Sequence, residues 1–131
     1  NESMDRSTGK RLSPPNPVGY PANAPSLMAV AALDAQLQVA PFSNGSINPN
    51  GGQVDIAGPG VNVYSSWPMP LRYRSISGTS MATPHVAGIA ALYAEATGER
   101  GLNLWALLMR DAQRLQLPSS DIGVGLAQAP L

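Results

Sequence analysis

Ser77-Gly78-Thr79-Ser80-Met81-Ala82-Thr83-Pro84-His85-Val86-Ala87-Gly88 is the stretch whose residue types and spacing could do chemistry. Gly78 permits backbone angles closed to other residues, so a tight turn can precede a helix. Ser80 then falls at the helix start, where amides lack intrahelical partners and the helix dipole places partial positive charge. Pro84 falls in the first turn, where a missing N–H costs little. A hydroxyl at this place can lie beside an oxyanion while its own amide hydrogen-bonds that oxygen. The same physics describes a Ser80 or Thr79 that only caps the helix. Local pattern leaves both readings open.

A serine hydroxyl is a weak nucleophile until a base takes its proton. The usual base is an imidazole oriented by a carboxylate. The chain has one His. His85 follows Ser80 by five residues in the same expected helix, so their side chains diverge by about 140°. It is not expected to reach the hydroxyl. Asp34, Asp55 and Asp111 read as turn or surface carboxylates, and Glu2 and Asp5 as solvated ones. With no Cys, a disulfide scaffold, a thiolate metal site and a Cys nucleophile are excluded.

The elements that must position Ser80 are short. Five prolines between Pro14 and Pro25 make residues 1–26 irregular. Leu27–Ala32 is an apolar run between turn signals and reads as a buried strand. Asn44-Gly45 and Asn50-Gly51 are turn pairs. Val54–Ala57 and Val61–Tyr64 alternate as strands, and Arg72–Ser75 is a further short strand. Ser80–Ala96 is small or apolar on most faces, as a buried helix is. Leu102–Leu117 carries a leucine stripe and reads as a second helix, stopped by Pro118. Gly123–Ala127 reads as a closing strand or extended segment.

The 131 residues suit one domain. Eight Lys plus Arg balance eight Asp plus Glu, which argues against nucleic acid or a membrane held by bulk charge. No apolar run approaches the ~18 residues of a bilayer span. Gly and Pro supply 13 residues each, a composition rich in turns. Trp67, Trp105 and Tyr64 read as packing residues, and Arg72 and Arg74 as solvated charges. Asn1-Glu2-Ser3 and Asn44-Gly45-Ser46 are glycosylation sequons expected to be unused.

From Gly78 to Gly88 the string resembles, without a gap, the nucleophile motif of the subtilisin-like serine proteases. Val18-Gly19-Tyr20-Pro21-Ala22 with Pro25–Val30, Asp55–Val61 and Gly123–Ala129 resemble further segments of that family. The likeness covers nearly all the chain from residue 18. It implies an α/β chain that forms the C-terminal half of a three-layer α/β/α fold with a mostly parallel sheet. Residues 1–131 would then be the C-terminal part of one catalytic domain. Ser80 would be the nucleophile, and Asn1 the side-chain donor to the oxyanion. Gly19 would floor the pocket for the substrate side chain before the cut, with Gly78 and Thr79 beside the substrate. A cis Tyr20–Pro21 peptide is also implied.

The family order is Asp, His, oxyanion Asn, Ser, and the chain matches it from the third member. The resemblance therefore implies a partner, the N-terminal part of the same domain, that lends Asp and His and completes the sheet; His85 would be structural. It implies an endopeptidase acting on protein or peptide through an acyl-enzyme, in a secreted or extracytoplasmic setting. A peptide ligase would use the same intermediate. No cofactor is expected in this chain; structural calcium would belong to the full domain. The alternative is a non-catalytic pseudoprotease or binding module that keeps the motif for packing.

Overall fold

A computed structural model describes residues 1–45 and 51–131. Ser46 and Asn50, which complete the second sequon and the second turn pair, lie outside the described residues. Seven elements follow in chain order: β1 (Val30–Leu33), β2 (Ile56–Pro59), β3 (Val63–Ser66), β4 (Tyr73–Ile76), α1 (Thr79–Thr97), α2 (Gly101–Asp111) and α3 (Ser119–Ile122).

β1 and β2 pair in parallel, with Val30 opposite Ile56 and Leu33 opposite Pro59. Asp55 sets this register. Its N–H donates to the Ala29 carbonyl at 2.9 Å, and its carboxylate accepts the Ala29 N–H at 2.7 Å. Asp55 is thus half-buried rather than a surface carboxylate, and desolvation raises its pKa above the usual value. The tail closes the other edge of β2: Ala57 N–H donates to Gly125 and Ala127 N–H to Ala57.

Because side chains alternate along a strand, the pair buries both faces. Ile56 joins Val86, Tyr93, Leu108 and Ala112 beneath α1 and α2. Ala31, Leu33 and Ala57 pack on the opposite side with Val18 and Ile122. α1 comes close enough that a Cβ at Gly58 would meet the Ala82 carbonyl at 3.0 Å. The α/β character expected from the sequence is present. The three-layer, mostly parallel architecture is present only in part among the described residues. One sheet is a parallel pair, the other an antiparallel pair, and the second outer layer is loops plus the four-residue α3.

Helix α1, expected to be buried on most faces, buries only Ala82, Val86 and Tyr93 and exposes much of the rest, because the described elements pack against one side of it. Three further elements differ from the sequence expectation. β1 begins at Val30, because a turn with Leu27 N–H on the Ala24 carbonyl occupies the start of the apolar run. α2 ends at Asp111 instead of Leu117. Ala112 is extended, and Gln113 exchanges backbone hydrogen bonds with Leu126, so tertiary pairing overrides the leucine stripe. α3 was not expected, having only a single turn. Asn44-Gly45 is not a turn either: the Gly45 N–H reaches back to Asn16.

β3 and β4 form an antiparallel hairpin, Val63 opposite Ile76. Tyr64 is 68% exposed and stacks on Tyr73 at 5.6 Å, so the packing expected of it is a ring contact at the surface. Arg74 is exposed, as expected of a solvated charge, and lies over the Trp67 ring at 5.3 Å.

Candidate active site

α1 begins at Thr79, with Gly78 just before it. Gly78 has φ 163, extended backbone open to any residue, so the helix mouth does not draw on glycine's conformational freedom. A Cβ there would lie 3.6 Å from Asn1 Nδ2 and 3.5 Å from Met81 Sδ, so an alanine methyl would fit and a larger side chain would press on Asn1. Glycine is needed one segment earlier. A Cβ at Gly60 would fall 2.5 Å from Ala32 Cβ, and the Gly78 N–H donates to the Gly60 carbonyl at 2.8 Å. This close approach fixes the mouth of α1 to the end of β2.

Ser80 is exposed at that mouth. The Met81 and Ala82 amides return to the Gly78 carbonyl, whereas the Ser80 N–H has no partner among the described residues. Thr79 donates twice to Asn1 Oδ1, from its N–H at 2.7 Å and its hydroxyl at 3.0 Å. An N–H can only donate, so the atom facing Thr79 is the carboxamide oxygen. Asn1 therefore turns its NH2 away from Thr79. Neither Ser80 nor Thr79 caps α1 with its side chain.

Asn1, Thr79, Ser80 and Thr83 line one cavity of about 520 Å³ with Val18, Gly19 and Met28. Nothing lies within 4 Å of a Cβ built on Gly19, so that wall is open. The Tyr20–Pro21 peptide beside it is cis, as the resemblance implied, and Ser13–Pro14 and Met69–Pro70 are cis as well. A second cavity of about 350 Å³ adjoins Ser80 on the hairpin side, lined by Val63, Trp67, Ile76, Met81 and His85 among others. The hydroxyl thus borders two hollows.

His85 shares the second cavity, yet its Nδ1 lies 2.7 Å from the Met81 carbonyl one turn back. A carbonyl only accepts, so Nδ1 carries the proton and the ring is held to its own helix. No hydrogen bond joins His85 to Ser80 among the described residues. The acids are distant in role. Asp34 accepts the Gln36 and Gln38 amides of its own turn, and Asp5 accepts both donors of Ser7. Asp111 is half-buried and engaged rather than a free surface group. It pairs with Arg110, which lowers its pKa, and accepts the Tyr93 hydroxyl.

Among the described residues no group of three or more His, Cys, Asp or Glu could hold a metal ion. No helix there is long and apolar enough to cross a membrane. One residue at the site escaped the sequence reading. Asn44, taken only as a turn and sequon residue, lines the first cavity. Its signal is tertiary, since its partners are 27 to 42 residues away.

A hydroxyl at a helix mouth, a carboxamide held by Thr79 and an adjoining pocket thus meet at one place, and the chain belongs to the subtilase family. The family's sequence profile matches residues 5–125. Among curated relatives, the chain is 44% identical over 125 residues to the subtilisin-like protease PopC of Myxococcus xanthus, covering 88% of this chain and 26% of that protein. It is 53% identical over 75 residues to a thermostable alkaline protease of Halalkalibacterium halodurans, covering 57% and 19%. Halolysin of Haloferax mediterranei is 38% identical over 112 residues, covering 86% and 21%. The chain thus spans about a quarter or less of these relatives' lengths.

Proposed function

We propose that this chain carries the nucleophile and oxyanion side of a serine endopeptidase. The observation that carries this reading is the pairing, at one cavity, of a Ser80 N–H that has no partner among the described residues with an Asn1 carboxamide whose oxygen Thr79 has already claimed. Those are two N–H donors available to an oxygen that gains charge. The family match supports a protein or peptide substrate.

Ser80 Oγ attacks the scissile carbonyl carbon while a histidine from outside this chain takes the hydroxyl proton. The carbonyl oxygen becomes an oxyanion between the Ser80 N–H and Asn1 Nδ2. The C–N bond breaks as the imidazolium returns the proton to the amine, leaving an ester on Ser80. Water, deprotonated by the same imidazole, hydrolyses that ester and frees the acid. On this reading Gly19 opens the wall of the pocket for the side chain before the cut. Thr79 holds Asn1, and Gly78 leaves it room. Residues 1–131 are then the C-terminal part of one catalytic domain, working in a secreted or extracytoplasmic setting as the family resemblance implies.

The reading also needs an N-terminal segment that brings Asp and His. β1 supports it. Ala29 and Ala31 face β2, so Val30 and Ala32 direct their peptide groups to the other edge. Ala32 is served there by Ser43 Oγ and the Ala40 N–H, while Val30 faces the first cavity, ready for a further strand.

A fluorophosphonate probe tests the proposal in the full-length protein. The expected result is a single adduct on Ser80, abolished in Ser80→Ala, with peptide hydrolysis reduced by about 10⁴-fold or more. Asn1→Ala should keep the adduct and lower kcat by about 10²–10³. A correctly folded full-length protein that neither labels nor cleaves would be a non-catalytic relative that keeps the motif for packing.

A further inference from the structure

We propose that Asn44 is the positioning residue that holds the oxyanion donor Asn1 in place. The proposal rests on the protease reading for its kinetic consequence, but its geometry stands by itself. Asn1 belongs to no helix or strand. Thr79 fixes its carboxamide oxygen, yet that bond can aim Nδ2 only if the backbone behind it stays still.

Glu2 supplies that anchorage. Its N–H donates to Asn44 Oδ1 at 2.9 Å, and its carbonyl accepts Asn16 Nδ2 at 2.7 Å. The next residue repeats the contact. Ser3, fully buried, donates its hydroxyl to the same Asn44 Oδ1 at 3.0 Å and accepts the Asn16 N–H at 2.8 Å. Asn44 then donates Nδ2 to the Pro17 carbonyl at 3.3 Å, directly before the Val18-Gly19 wall of the cavity. One side chain therefore joins the oxyanion segment to the pocket loop.

A carboxamide is suited to this task. Its oxygen has two lone pairs for two donors, and its nitrogen serves a carbonyl on the other side. A serine hydroxyl is too short to span all three partners. An aspartate accepts the same two donors but meets the Pro17 carbonyl with an acceptor. Asn44 touches no reacting atom in this scheme. It acts through Glu2 and Asn1.

Two measurements on the full-length protein test the clamp. The first does not depend on catalysis: amide hydrogen exchange at Thr79, whose N–H is bonded to Asn1, with Ala57 in the parallel sheet as the control for folding. Asn44→Ala should speed exchange at Thr79 by about tenfold or more and leave Ala57 unchanged. Asn44→Asp, which keeps both accepted bonds, should restore most of the protection. Unchanged exchange at Thr79 in Asn44→Ala overturns the proposal. If Asn44→Ala also loses protection at Ala57, Asn44→Asp decides, and Thr79 exchange as fast as in the alanine variant overturns it.

The second is kinetic. Asn44→Ala should lower kcat by about 10- to 100-fold with KM little changed, as a misplaced catalytic group does. In an Asn1→Ala background the same substitution should have almost no further effect. Full additivity of the two losses overturns the clamp. A wild-type protein that hydrolyses nothing sinks the protease reading instead, and the exchange comparison still judges Asn44.

Discussion

The two sheets among the described residues are built in opposite ways. β1 and β2 are parallel, share alanine, isoleucine and leucine side chains between two cores, and are buried along nearly their whole length. β3 and β4 are antiparallel and exposed, and their side-chain contacts include a Tyr64–Tyr73 stack and an Arg74–Trp67 pair. The parallel pair holds the site, since Gly60 at the end of β2 anchors the mouth of α1. The hairpin only borders it. Burial can fix an atom within a fraction of an ångström because close-packed neighbours resist displacement. An exposed stack shares its energy with water and tolerates more movement. A rigid platform behind Ser80 and a looser wall beside it is the arrangement that results.

The contrast can be broken at its strongest point first. Ile56→Ala removes a fully buried side chain from the centre of the parallel pair. It should cost about 2–5 kcal/mol in urea unfolding. A loss below about 1 kcal/mol would mean that the pair is not the platform. Tyr93→Phe keeps the buried ring and removes the hydroxyl donated to Asp111. A loss near 1 kcal/mol is expected by the same measurement, with Asp111 still held by Arg110. Tyr64→Ala breaks the exposed stack and should cost less, about 0.5 kcal/mol. A Tyr64 effect larger than that of Ile56 would reverse the roles given to the two sheets.

The finest test is the pH dependence of stability. Burial raises the folded pKa of Asp55, so the native state holds that proton more tightly than the unfolded chain. Its contribution is fully present below the unfolded value near 3.8 and is lost as pH rises through the higher folded value. Asp111, lowered by Arg110, has the opposite sign. Its contribution is present above 3.8 and fades as pH falls through the lower folded value. Asp55→Asn should therefore gain stability relative to wild type as pH rises from 3.8 upward, read as a difference between two denaturation series. A flat difference would mean that Asp55 is as well solvated in the fold as outside it.

Much of this arrangement was legible in the residues. The four strands and α1 fall within three residues of where alternation and apolar runs put them, because both faces of the parallel pair and one side of α1 are buried. Ser80, Thr79, Asn1 and Gly19 do meet at one cavity. What was misread had non-local causes. The leucines at 115 and 117 continue the stripe of α2, yet they pack against the other core because Gln113 pairs with Leu126. Asp55 read as a turn or surface carboxylate, and only its bonds to Ala29 of the neighbouring chain segment make it a register clamp.

The sequence alone determined that a hydroxyl stands at the start of a long, small-residue helix, since glycine, proline and apolar periodicity act over a few neighbouring residues. It also excluded cysteine chemistry and left His85 out of reach of Ser80. Only the tertiary structure decided that Asn1 meets Thr79 across 78 positions of chain and that Asn44 bonds both the Glu2 N–H and the Pro17 carbonyl. Those contacts depend on how the chain returns through space, and residue spacing along the sequence carries no record of that path.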